Sequence, residues 1–337
     1  MGCYIGPLGI LNLSDVVKGL AFYRYYAMKK VAFIFPGQGS QYVGMARELY
    51  EASPQVRQMF QKADDLLGAA LSKICFNGPE EVLRQTRYTQ PAIFLHSMAL
   101  LVLLNHYEEP LLTAGHSLGE YSALVASGAL SFDEALELVQ VRGEAMQRAG
   151  EQNPGTMAAI VGLTDEDVET ICKEASSAGI VQVANLNSPG QIVISGSIQA
   201  VRRAVEAAKA QGAKIAKELP VSGAFHSPLM EPARKALAAA LARTNFRDAA
   251  IPVVANVTAT PVTRASEFRS LLEQQIVSPV RWTESILTMA RMGVTTFVEI
   301  GPGQVLQGLV KRIIPQAKAI GVETLKDIES ARGGLVS

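Results

Sequence analysis

The apolar pattern first becomes regular at Val31-Ala32-Phe33-Ile34-Phe35, five apolar residues without a polar break, closed by Pro36-Gly37-Gln38-Gly39-Ser40. A short unbroken apolar run bounded by turn residues reads as a strand buried on both faces. Leu111–His116 (LLTAGH) reads as a second such strand, ending at Ser117. Helical spacing follows in EYSALVASGAL (120–130) and again in Phe132–Ala149. Ser131 is placed to cap that second helix, with Glu134 three residues on completing a capping box. Apolar strands alternating with amphipathic helices predict an α/β protein with a mainly parallel sheet.

The rhythm changes near Asn153-Pro154-Gly155. Strand (156–163), helix (165–177), strand (180–186), strand (191–195), helix (198–211) and strand (213–219) follow in that order. This is the β-α-β-β-α-β order of a ferredoxin-like unit. Asn187-Ser188-Pro189-Gly190 is expected to turn the chain between its middle strands. Residues 153–221 therefore read as a small subdomain inserted into a larger α/β domain built from 28–152 and 222–325. In the second half of that domain a helix is expected over 228–243, and strands over 251–256 and 295–300. Gly301-Pro302-Gly303 then leads into a final helix carrying Lys311 and Arg312, with 326–337 as a C-terminal tail.

Composition narrows the classes. Basic and acidic residues balance at 31 each, and no basic stripe argues for nucleic acid. With 48% apolar residues, the 337-residue chain can bury a sizeable core. The apolar stretch Pro91–Leu104 is short and broken by His96 and Ser97, so it reads as a buried core helix and not as a membrane span. Cys3, Cys75 and Cys172 are far apart with no CxxC pair, which argues against a disulfide framework or a zinc site and suits a cytoplasmic protein. Residues 1–27 lack a basic n-region and a small-residue cleavage site. They are read as an N-terminal extension, either non-native, with Met28 as the natural start, or dispensable.

The chemistry centres on Gly115-His116-Ser117-Leu118-Gly119-Glu120. A Gly-x-Ser-x-Gly stretch between strand and helix is the pattern of a nucleophile elbow, a sharp turn that needs small residues on either side of the serine. The plainer alternative is a helix-capping serine between two packing glycines. Were Ser117 a nucleophile, the Leu118 N–H would face the forming oxyanion and a second donor would be needed. The Gln38 N–H at the end of the first strand can supply it. A base must come from four histidines. His96 lies in an apolar helix, His106 at that helix's end, and His116 on the opposite side of the strand from Ser117. His226, on a loop between two structural units, suits a base best, with a contact at a helix N-terminus as its alternative. Arg142 presents either a carboxylate-binding fork or an ordinary solvated helix cation.

Taken together, FPGQGSQ, GHSLGE, VRGEAMQ, NSPGQIVISG, SGAFHSP, QIVSPVRW and FVEIGPG, in that order from Val31 to the last helix, resemble the malonyl-CoA:acyl carrier protein transacylase family. The resemblance implies an α/β-hydrolase-like domain with a ferredoxin-like insertion. It implies Ser117 as nucleophile, His226 as base, and Gln38 and Leu118 as oxyanion donors. The backbone carbonyl of Gln275 would orient the base, Arg142 would bind the malonyl carboxylate, and Phe225 would leave no room for an α-methyl branch. It further implies malonyl-CoA and an acyl carrier protein as partners, no cofactor, a cytoplasmic monomer, and transient carrier docking for which Lys311, Arg312, Lys214 and Lys217 are candidates. A polyketide acyltransferase, a serine thioesterase or esterase, and a non-catalytic carrier-binding protein are the alternatives.

Overall fold

The computed structural model describes residues 30–104 and 109–332, so the N-terminal extension and His106 lie outside it. Among the described residues the strands are β1 (Val31–Phe35), β2 (Leu112–Gly115), β3 (Gly155–Val161), β4 (Val181–Ser188), β5 (Gln191–Ser197), β6 (Ile215–Glu218), β7 (Val253–Val254), β8 (Pro261–Val262), β9 (Thr296–Ile300) and β10 (Lys318–Val322). They form a six-stranded sheet, β10-β9-β1-β2-β7-β8, and a four-stranded sheet, β4-β5-β3-β6. All neighbours in the first are parallel except the β7–β8 pair. All pairs in the second are antiparallel. The fold is thus the expected α/β-hydrolase-like arrangement with a ferredoxin-like unit set into it.

β1 shows why its sequence has no polar break. Val31, Phe33 and Phe35 pack into one core, while Ala32 and Ile34 pack into another on the opposite face of the sheet. A central parallel strand covered on both sides has no solvent face to mark with polar residues. β1 has β9 on one side and β2 on the other, and Phe35 pairs with Gly115. The loops that leave β1 and β2 therefore emerge together at the carboxyl edge of the sheet, where open α/β sheets hold their ligands.

Several expected elements differ in extent. The capping box at Ser131 and Glu134 forms as read, and its helix runs from Phe132 to Gln152. Asn187 and Ser188 belong to β4, leaving Pro189-Gly190 as the turn, with Gly190 at φ 69°. Proline followed by a positive-φ glycine is the type II preference, so a two-residue turn suffices. The strand expected over 251–256 shrinks to Val253–Val254, because Ala255 and Asn256 leave the ladder toward the site. The helix carrying Lys311 and Arg312 (Val305–Ile313) is not the last element, since β10 and a helix over Leu325–Arg332 follow. The tail expected from residue 326 is thus helical at its start. Ile328, 3% exposed, packs into the main core and holds that helix on the domain.

The small sheet is tied to the larger domain through β4 and the segment at Val280. Leu186 and Val280 exchange backbone contacts, the Leu186 N–H donating to Val280 at 3.0 Å and the Val280 N–H to Ala184 at 2.9 Å. No helix among the described residues is long and apolar enough to cross a membrane.

Candidate active site

Ser117 sits two residues past the end of β2 with φ 51°, a left-handed conformation that costs a non-glycine residue roughly 1–2 kcal/mol. The turn closes through the Gly119 N–H to His116 O (2.9 Å) and the Glu120 N–H to Ser117 O (3.2 Å). Both flanking glycines are required sterically. A Cβ on Gly115 would lie 1.8 Å from the carbonyl carbon of Gly119, and one on Gly119 would lie 2.1 Å from the carbonyl oxygen of Phe35. The helix over Gly119–Ala126 follows at once, so this is the strained strand-to-helix elbow its sequence suggested.

Side chains hold the elbow from behind. Asn256 accepts from the Ser117 N–H at 2.7 Å and donates to Gly115 O at 2.7 Å. The Gln275 amide donates to Ser117 O at 3.0 Å. Neither Asn256 nor Gln275 has measurable exposure.

Ser117 Oγ lies 2.8 Å from His226 Nε2, and His226 Nδ1 lies 2.8 Å from the backbone carbonyl of Gln275. A carbonyl oxygen only accepts, so Nδ1 carries the proton and the neutral ring turns its Nε2 lone pair toward the serine hydroxyl. Burial, reinforced by the Arg142 charge, pushes the His226 pKa down to about 3. Neutral imidazole is therefore the resting form. His226 also has a positive φ, 57°, and its backbone carbonyl accepts from Gln182 Nε2 on β4 at 2.8 Å.

Arg142 projects from the Phe132–Gln152 helix but is 1% exposed, which excludes the solvated-cation reading. Its Nη2 donates to Ser117 Oγ and to Gln275 Oε1, each at 2.9 Å, and its Nη1 to Gln90 Oε1 at 2.8 Å. The guanidinium also lies over the Tyr121 ring, 5.6 Å from its centroid. Among the described residues the N–H groups of Gln38 and Leu118 donate to no other protein group. Both residues line the same cavity of about 220 Å³, together with Ser117, Arg142, Phe225 and His226.

The other described histidines are not bonded to the serine hydroxyl. His116 lines the same cavity, but its Nε2 pairs with Asn187 Oδ1 at 2.9 Å and its ring packs on Trp282. His96 is a core residue with Nε2 3.0 Å from Glu323 O, and burial lowers its pKa to about 4. Lys311 and Arg312 are exposed on the helix whose Val305, Leu306 and Leu309 line the cavity. Arg312 bonds Gln191. Lys214 and Lys217 are exposed beside and on the edge strand β6.

Asn256, Gln182, Gln90, Asn187, Glu120 and the side chain of Gln275 were not legible as site residues. Only Glu120 carried a signal, a carboxylate in an otherwise apolar helix start.

The acyl transferase domain family model matches residues 32–329. The chain is 47% identical over 309 residues to a malonyl CoA-acyl carrier protein transacylase of Bacillus subtilis, covering 90% of this chain and 96% of that one. The structure of the malonyl CoA-acyl carrier protein transacylase of Coxiella burnetii superposes with a TM-score of 0.88 at 43% identity, covering 92% of this chain and 98% of that one. A malonyl-transacylase solved in complex with its type II PKS acyl-carrier protein superposes at 0.86 and 43% identity, covering 90% and 98%. The chain belongs to the acyl transferase domain family, among the malonyl CoA-acyl carrier protein transacylases.

Proposed function

We propose that this protein transfers the malonyl group of malonyl-CoA to the phosphopantetheine thiol of an acyl carrier protein, in fatty-acid synthesis, through a malonyl ester on Ser117. The observation that carries the reading is one oxygen with two partners: Ser117 Oγ stands 2.8 Å from His226 Nε2 and 2.9 Å from Arg142 Nη2. A neutral imidazole at hydrogen-bond distance is a general base for the hydroxyl. A buried guanidinium at the same oxygen has no use in a simple esterase. It suits an acyl group that ends in a carboxylate, which it can grip with two parallel hydrogen bonds.

The residues then act in order. His226 Nε2 takes the Ser117 proton as Oγ adds to the thioester carbonyl. The Gln38 and Leu118 N–H groups receive the oxyanion, CoA leaves as its thiol with the proton from His226, and the malonyl ester remains. The carrier's thiol repeats the addition, its proton passing to His226 and on to Ser117 Oγ as the ester breaks.

His226 is oriented by a carbonyl and not by a carboxylate, so no fixed negative charge favours its imidazolium. Arg142 opposes it. A malonyl carboxylate paired with Arg142 cancels that opposition, which makes the acyl group itself part of the electrostatics of its transfer. Phe225, 5% exposed, walls the cavity where an α-substituent would project. The scheme uses no cofactor, since the phosphopantetheine belongs to the carrier. Lys311 and Arg312, on the helix at the cavity mouth, would meet an acidic carrier, the monomer is the acting unit, and the setting is the cytoplasm.

Intact mass after brief mixing with malonyl-CoA, and with acetyl-CoA in parallel, tests the reading. One malonyl adduct mapped to Ser117, with little acetyl, is the expected result. Steady CoA release without an adduct would make the protein a thioesterase. The resemblance to a malonyl-transacylase bound to a type II PKS carrier keeps a polyketide carrier as the second reading, decided by which carrier accepts the malonyl group.

A further inference from the structure

Behind the elbow lies a carboxylate that this scheme does not use. Glu120, 2% exposed, sits in the first turn of the Gly119–Ala126 helix. Its Oε2 accepts from Gln275 Nε2 at 2.6 Å and from the Asn256 N–H at 3.3 Å. The other end of the same Gln275 amide, Oε1, accepts from Arg142 Nη2 at 2.9 Å. An acid and a base, both buried, are therefore joined through one neutral amide.

The chemistry of the three groups leaves a single arrangement. An ionised carboxylate only accepts and a guanidinium only donates. An amide between them must turn its NH₂ to Glu120 and its carbonyl to Arg142. Any other orientation sets donor against donor on one side and acceptor against acceptor on the other. The Ser117 carbonyl, which also accepts from this NH₂ at 3.0 Å, keeps the amide from turning over. Removing the charge at position 120 takes away the charged hydrogen bond at 2.6 Å that pins the amide and, through its carbonyl, the guanidinium. A buried arginine also needs a counter-charge nearby, and the Arg142 charge acts on Glu120 in turn, opposing the burial that raises its carboxyl to about 7.

We propose that Glu120 is a positioning residue for Arg142: acting through the Gln275 amide, it holds the guanidinium where it reads the acyl carboxylate, and so sets the preference for acyl groups that end in one. The inference rests on the role given above to Arg142. A merely structural Glu120, supporting the elbow through Asn256, would affect every acyl group alike.

The test is Glu120→Gln, which keeps size and shape. Loading of Ser117 by malonyl-CoA and by acetyl-CoA is followed by intact mass without carrier, with the single-turnover rate and its half-saturating donor concentration separated, beside the wild type and Arg142→Ala. The expected result is a raised half-saturating concentration of malonyl-CoA and a malonyl-to-acetyl ratio at least about tenfold lower than wild type. An unchanged ratio, with both donors slowed equally or neither slowed, overturns the proposal while loss of preference in Arg142→Ala keeps the reading of Arg142. A wild type without malonyl preference, or an Arg142→Ala variant that retains it, overturns both. Should thermal melting show Glu120→Gln unfolded, Glu120→Asp replaces it. That change keeps the charge but draws it back from the Gln275 amide while leaving the amide's own bonds to Arg142 and Ser117 in place, and the same ratio decides.

Discussion

Ser117 and His226 meet at 2.8 Å, and both do so from left-handed backbone conformations, φ 51° and 57°. Neither is a glycine, so each carries strain that the surroundings must hold. Asn256 and Gln275 fix the backbone of Ser117 from two sides, and Gln182 fixes the carbonyl of His226. Strain held in this way is a common form of preorganisation at functional sites.

The strain has a measurable sign. Ser117→Ala and Ser117→Gly both remove the hydroxyl and both should abolish the acyl adduct. They differ only in Cβ, and at positive φ the glycine is the better fit. Ser117→Gly is expected to be more stable than Ser117→Ala by about 1 kcal/mol, on the order of 2 °C in melting temperature. At an ordinary backbone position the order would reverse, so calorimetry on the two variants checks the conformation of the elbow directly.

Arg142 spans Gln90 on one nitrogen and Ser117 with Gln275 on the other. A lysine offers one point charge and no fork. Arg142→Lys and Arg142→Ala should therefore both lose malonyl preference. A charged hydrogen bond of about 1.5–3 kcal/mol corresponds to roughly a 10- to 150-fold fall in the malonyl-to-acetyl ratio. Competition between the two donors, read by mass, gives the number.

Phe225 is buried against the cavity, with a ring carbon 3.3 Å from where a Gly223 Cβ would stand. Phe225→Ala opens the wall, and methylmalonyl-CoA should then load faster than it loads the wild type. The malonyl rate should fall less than the methylmalonyl rate rises, since the Arg142 contact is untouched. Parallel loading assays with the two donors would show it.

The His226 pKa is lowered from 6.5 to about 3. Between those values the unfolded chain binds a proton at this position and the folded protein does not. Stability from this residue is therefore lost as pH falls from 6.5 toward 3, by up to about 1.4 kcal/mol per pH unit. His226→Gln, which cannot titrate, should lose less stability than wild type over that window in denaturant titrations at stepped pH. Glu120 works in the opposite direction between 4.5 and about 7, which makes the comparison of variants cleaner than the wild-type curve alone.

Asn256 holds both the Ser117 N–H and the Gly115 carbonyl. Asn256→Ala leaves two backbone groups behind the elbow unpaired, at a cost of about 2 kcal/mol or more. It should slow malonyl and acetyl loading by the same factor, because it disturbs the nucleophile and not the carboxylate contact. A changed donor ratio in this variant would contradict the separation drawn between elbow support and acyl selection.

Much of this was legible along the chain because it is local. A buried strand must be apolar throughout, as β1 is. A capping box needs only Ser131 and Glu134 three residues apart. An elbow needs glycines on both sides of Ser117 because the backbone of the next turn passes within bonding reach of where a Cβ would stand. The motifs that resemble the family carried Arg142, Gln38 and Gln275 in the same way, by residue type and surroundings in the sequence.

Contacts across the fold left no such trace. Asn256 is one residue past an apolar run, Gln182 lies in an edge strand of the other sheet, and Gln90 precedes a proline in a helix. Nothing in their neighbours distinguishes them from surface amides. The sequence by itself determined the alternation of strands and helices, the inserted unit and the strained turn at Ser117, since each follows from spacing and steric fit within a few residues. Only the tertiary structure decided that Gln275 touches Ser117, Arg142, His226 and Glu120 at once. Hydrogen bonds between residues 49 to 158 positions apart depend on how whole elements pack, and that packing is set by the two apolar cores on either side of the sheet.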